Sequence, residues 1–92
     1  MTQGELNRRV AEITGMTIKD SDMTIKAFAK VVEDTLKQDD FVQIYGFGKF
    51  IPVVKPGREM NDLIHGGTQY VPEHRVVLFR PGKTLKDSIK AV

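Results

Sequence analysis

The stretch from Val54 to Arg75 constrains this chain more than any other. It has almost no apolar periodicity, and it holds Pro56, Gly57, Gly66, Gly67 and Pro72. Strand-like runs flank it. Val42 to Tyr45 enter a tight Tyr45-Gly46-Phe47-Gly48-Lys49-Phe50 turn, Phe50 to Val54 leave it, and Val76 to Arg80 close the region. A structureless loop of that length is uncommon in a domain of 92 residues. The economical solution is a two-stranded ribbon that leaves the body, turns near its middle and returns. Such a ribbon buries little of its own surface, so a partner that it wraps gives it a reason to exist.

The chain is short enough to form one domain. Roughly 60–65% burial of unfolded surface is marginal at this size, and an arm that adds nothing to the core makes it more so. A dimer with a shared core is therefore expected. There is no cysteine, which excludes disulfides and thiolate metal sites and suits a reducing compartment. No apolar run is long enough to span a membrane, and no signal-peptide pattern is expected at the N-terminus. The net charge of +2 is unevenly placed. Residues 1–45 hold six basic residues against eight acids, and residues 46–92 hold eight against four. This division fits either one polyanion-facing side or ordinary scatter.

Thr2-Gln3-Gly4-Glu5 has the form of a capping box. Leu6, Val10 and Ile13 follow at helical spacing, and Gly15 is a natural stop, so a helix is expected over Gln3 to Thr14. Thr17 can cap a second helix, with Asp20 and Asp22 favouring its N-terminal dipole. Met23, Ala27, Phe28, Val31, Val32 and Thr35, extended by Ile25 and Leu36, give it a wide apolar face that reads as core or dimer interface. Gln38-Asp39-Asp40 ends it. A strand over Phe41 to Tyr45 is expected next, then the turn, in which Phe47 should plug into the helices, then a strand over Lys49 to Val54. Pro81-Gly82-Lys83-Thr84 should interrupt the last strand. Leu85 and Ile89, extended by Val92, predict a short C-terminal helix. Lys83, Lys86 and Lys90 lie on another of its faces, as a solvated stripe or as phosphate contacts.

Catalytic chemistry is not legible. His65 and His74, with Asp62 and Glu73 nearby, lack diagnostic metal spacing. Gly46-Phe47-Gly48 lacks the third glycine and the strand-to-helix setting of a phosphate loop. Ser21 and Ser88 have no neighbouring histidine from which to build a triad. No enzyme activity, metal or cofactor is expected.

In order, the pattern is a capped helix, a longer helix, a strand, Gly46-Phe47-Gly48-Lys49-Phe50, a long arm, Phe79-Arg80-Pro81-Gly82-Lys83 and a short helix. It resembles the HU/integration host factor family of bacterial histone-like proteins over essentially the whole chain. Arg75-Val76-Val77-Leu78-Phe79-Arg80-Pro81-Gly82 looks closer to the integration host factor version. The resemblance implies an α+β fold: an intertwined dimer with an N-terminal helical hairpin, a three-stranded antiparallel sheet with an extended β-ribbon arm, and a short C-terminal helix. It implies one domain over 1–92, with a helical dimerisation part (1–40), a sheet (41–81) whose arm spans about 55–75, and a final helix (82–92). Phe47, Phe50 and Phe79 match the family's aromatic core.

The implied function is to bend and compact double-stranded DNA by wrapping ribbon arms in the minor groove, as a homodimer or as a heterodimer with a related subunit. The implied setting is cytoplasmic and nucleoid-associated, in a bacterium or in a host cell if phage-encoded. Phosphate or groove contacts are expected from Lys49, Lys55, Arg58, Arg75, Arg80, Lys83 and Lys86, with polar groove contacts from Asn61 and Gln69. The family's tip normally carries an asparagine–proline pair, with the proline as a wedge between base pairs. Here Asp62-Leu63 occupies that place. Leu63 is then the candidate wedge, or an arm-packing residue, and Ile64 is a second candidate. From Lys55 to Arg75 three cations face three acids, Glu59, Asp62 and Glu73. That balance motivates the alternative, a diverged subunit acting mainly through protein–protein contact with weak DNA binding.

Overall fold

The computed structural model describes residues 1–61, 64 and 66–90. Helix α1 (Gln3–Thr14), helix α2 (Ile18–Lys37), strands β1 (Val42–Ile44), β2 (Gly48–Lys55), β3 (Arg58–Asn61), β4 (Thr68–Val71) and β5 (His74–Pro81), and helix α3 (Lys83–Lys90) follow in that order. The result is an α+β fold in two compact units, Met1–Thr35 and Leu36–Val92.

In the first unit the expected caps hold. The Glu5 amide donates to Thr2 Oγ1 at 3.4 Å, and the Gly15 amide donates to Ala11 O at 2.9 Å. The Asp20 amide donates to Thr17 Oγ1 at 3.0 Å, starting α2. The inward side of α1 differs from the expectation. Ile13 is 83% exposed, and the buried residues of α1 are Asn7 and Ala11. The reason is polar. Gln3 Nε2 and Asn7 Nδ2 both donate to Asp22 Oδ1, at 3.2 and 2.7 Å, so α1 turns its 3, 7, 11 stripe toward α2. Lys26 Nζ reaches the other oxygen of Asp22 at 2.9 Å.

Among the described residues, only Ala11 and Leu36 are buried hydrophobics, while Met23, Phe28 and Val31 on the α2 face are all exposed.

In the second unit a three-stranded antiparallel sheet has the order β1-β2-β5. Val42 faces Phe50, and Ile44 faces Gly48. The β2–β5 pairing runs from Gly48 opposite Pro81 to Lys55 opposite His74. Strand β1 is shorter than expected and leaves Phe41 outside, where its ring lies 4.5 Å beneath Lys49 Nζ. Strand β5 runs on through Pro81 instead of stopping before it. Pro52 sits in β2 beyond the last residue that β1 pairs, on a single-neighbour stretch where a sheet tolerates proline.

The Phe79 ring lies 5.4 Å from Phe47 and 5.0 Å from Phe50. The Gly82 amide donates to Phe47 O at 2.8 Å, which ties the turn to the junction of β5 and α3 and lays Phe47 on Phe79. Within this unit Phe47 packs on Phe79, and its ring, expected to be hidden from solvent, is 42% exposed in the single chain. Gly48 permits this closeness, since a Cβ there would meet Arg80 O at 2.6 Å and the Phe79 ring at 2.7 Å.

The ribbon is present but segmented. Strands β3 and β4 form a separate two-stranded sheet, with Arg58 opposite Val71 and Asn61 opposite Thr68. Two residues on each side, Pro56-Gly57 and Pro72-Glu73, separate it from the main sheet. Each side of the break carries a proline, which has no amide to donate to a ladder.

Candidate nucleic-acid interface

Residues directly opposite in an antiparallel pair share a face, and the face alternates along the strand. The register therefore sorts the expected contact residues. Gln43, Lys49 and Arg80 lie in one row, because Gln43 pairs with Lys49 and Lys49 with Arg80. Two rows of apolar residues follow on that face, Ile51 with Leu78 and Val53 with Val76, and then Lys55 with His74 at the root of the arm. One sheet face thus carries Lys49, Arg80 and Lys55. The opposite face carries Phe50, Phe79 and Val54, and with them Arg75.

Arg75 does not join the other cations. Its Nη1 donates to Lys37 O at 2.9 Å and to Leu36 O at 3.3 Å, and its Nε stands 3.8 Å from Asp39 Oδ1. Those carbonyls belong to the last turn of α2, where helix oxygens lack intrahelical partners and carry partial negative charge.

Lys83 opens α3. The Lys86 amide donates to Gly82 O at 2.9 Å, which closes the first turn. A cleft of about 360 Å³ lies here, lined among others by Gln43, Tyr45, Lys49, Arg80, Lys83 and Thr84. Three cations and the positive end of a helix suit it to an anion such as a phosphate. Sequence reasoning named the three cations but missed Gln43 and Thr84. The alternation of β1 could have found Gln43; Thr84 carried no signal.

On the distal ribbon, Arg58 pairs with Val71 and Met60 with Gln69, so these four share a face. Glu59 with Tyr70 and Asn61 with Thr68 occupy the other. The structure therefore places Gln69 and Asn61, both expected as polar groove contacts, on opposite faces of the ribbon, and sets Glu59 on the face opposite Arg58. Ile64 is exposed. The candidate wedge Leu63 lies outside the described residues, as do Asp62 and His65. His74 Nδ1 is 2.9 Å from Pro72 O; a carbonyl only accepts, so this nitrogen carries the proton. Among the described residues no three histidine or carboxylate side chains are grouped to hold a metal, and no helix is long and apolar enough to cross a membrane.

Comparison with known proteins gives a consistent result. The family model described as "Bacterial DNA-binding protein" matches residues 1–90. The DNA-binding protein HU of Geobacillus stearothermophilus is 33% identical over 90 residues, covering 98% of this chain and 100% of that protein. Integration host factor subunit beta of Herminiimonas arsenicoxydans is 34% identical over 93 residues, covering 100% of this chain and 92% of its own. Among solved structures, an Anabaena HU–DNA cocrystal structure superposes with a TM-score of 0.93 at 27% identity, with both chains fully covered.

Proposed function

The chain belongs to the bacterial DNA-binding protein family that includes HU and integration host factor, and from this we propose that it is an architectural protein that binds and bends double-stranded DNA. The observation that carries the reading is a single sheet face on which Lys49, Arg80 and Lys55 lead to the root of a protruding ribbon. Phosphates neutralised by these cations release counterions, and the arm follows the minor groove. Opening a base step costs on the order of a few kcal/mol in minor-groove architectural proteins, and the extra surface that a bent duplex wraps offsets it. Glu59, set on the ribbon face away from Arg58, can point to solvent while Arg58 meets the duplex.

The working form is a dimer, homomeric or formed with a related subunit. Met23, Phe28 and Val31 supply the apolar surface that a second subunit covers. The helical part over 1–40 serves dimerisation, the sheet and arm over 41–81 serve DNA, and the last helix adds Lys83 and Lys86. The mechanism is charge neutralisation and shape, with no bond made or broken. Nucleoid association in the cytoplasm follows from that role.

The test is binding to a labelled duplex between 50 and 200 mM salt, where counterion release acts strongly. A steep linear fall of log affinity with log salt is expected. Arg58→Ala and Arg80→Ala should each weaken binding on all sequences alike and lower the slope by about one. Absence of binding at the lowest salt would overturn the reading in favour of a subunit that works through protein contacts.

A further inference from the structure

We infer that Arg75 is a positioning residue that anchors the root of the arm, and that it makes no phosphate contact. The inference rests on the DNA-binding reading above. Arg75 is a cation at the base of a DNA-binding arm, so sequence alone places it among the contacts. The geometry does otherwise. It stands on the aromatic face of the sheet, opposite the face of Lys49, Lys55 and Arg80. Its guanidinium is already engaged by Leu36 O, Lys37 O and Asp39 Oδ1.

The position of this clamp gives it a role. Arg75 pairs with Val54, one rung before the ladder ends at Lys55 opposite His74. Beyond that rung the ribbon is interrupted on both strands. The clamp therefore holds the last continuous part of the arm against the segment Leu36–Asp39, and the distal sheet moves from a fixed root. A planar fork can span two successive carbonyls and still face a carboxylate. A lysine ammonium keeps the charge but presents a single point. Asp39 lies in the left-handed region, with φ of 61°, which brings its carboxylate round beside the helix end.

The experiment compares Arg75→Ala and Arg75→Lys with the parent in duplex binding over a salt series, and in bend angle by fluorescence energy transfer. Both variants should give a log–log line parallel to the parent's but displaced to weaker binding, with a smaller bend. A slope lower by about 0.9 in Arg75→Ala, the signature of one lost phosphate contact, would overturn the inference. So would parental behaviour in Arg75→Lys. The unaltered protein gives a measurement free of folding effects. With the clamp in place, the Arg75 Nε–H resonance of the labelled protein stays unshifted when duplex is added, and a shift counts against it. If the parent itself fails to bind, the DNA reading falls. The clamp is then judged in the free protein, where hindered rotation of the Arg75 guanidinium supports it and free rotation refutes it.

Discussion

The hydroxyl end of Tyr70 fills the space in which a side chain at Gly57 would begin. Gly57 has no left-handed backbone, so alanine there meets two obstacles, the Tyr70 side chain first and then the Glu73 amide nitrogen at 3.2 Å. Tyr70 thus braces the outer side of the break between the two sheets. Gly57→Ala should displace the ring and reduce the DNA bend. In a Tyr70→Ala background the same substitution should have a much smaller effect, since only the Glu73 amide then remains in its way. A double-mutant cycle on binding, with a coupling on the order of 1 kcal/mol, checks this; additive effects would show that the two residues act separately.

Phe79 joins the rings of Phe47 and Phe50, and Phe47 is reached only because the turn is tied to Gly82. Phe79→Ala removes the shared partner of both rings. The expected loss is about 2 kcal/mol, below the range for a buried aromatic, since Phe79 is 37% exposed in the single chain. Thermal unfolding followed by circular dichroism measures it. A melting temperature equal to the parent's would remove this cluster from the core.

Asp22 holds α1 against α2. The hydrogen bond from Lys26, then that from Asn7, with help from Gln3, keep its carboxyl below the ordinary aspartate value. A depressed acid in the folded state contributes stability that is complete above the unfolded value, near pH 4. That contribution is lost as the pH falls from there through the folded value. Urea midpoints at pH 7 and pH 3 should therefore fall less in Asp22→Asn than in the parent, with the variant already weaker at pH 7. Equal falls would assign the acid sensitivity to other carboxylates.

By sequence position and side-chain type, Leu63 is proposed as the wedge in place of the family's proline. Leu63→Ala should lower the bend angle more than the affinity, because a wedge contributes by opening a base step. Fluorescence energy transfer across a labelled duplex reads the angle directly. An unchanged angle would make Leu63 a packing residue of the arm.

Much of the fold was legible because its signals are local. Thr2 with the Glu5 amide, Gly15, and Thr17 with Asp20 each act within one helical turn and cap the helices where their spacing predicts, with only the amide half of the capping box formed. The strands around Gly46–Gly48 were legible for the same reason. What the sequence concealed depends on distant partners. Arg75 meets carbonyls 38 and 39 residues away, and nothing in its neighbourhood distinguishes a clamp from a phosphate contact. The burial of Asn7 in place of Ile13 depends on where Asp22 stands across the helix pair. The separation of Gln69 from Asn61 needed the register, since both are polar residues of one short ribbon.

The break at Pro56-Gly57 and Pro72-Glu73 has a mechanical consequence. A continuous two-stranded ladder resists bending because each rung must distort together with its neighbours. Between Lys55–His74 and Arg58–Val71 no rungs are there to distort. The distal ribbon can swing through backbone torsions at the break with the ladders of both sheets left intact. Compliance is concentrated in four residues, while the two sheets on either side stay stiff. An arm jointed in this way can follow grooves of different width and curvature without a change in its own pairing.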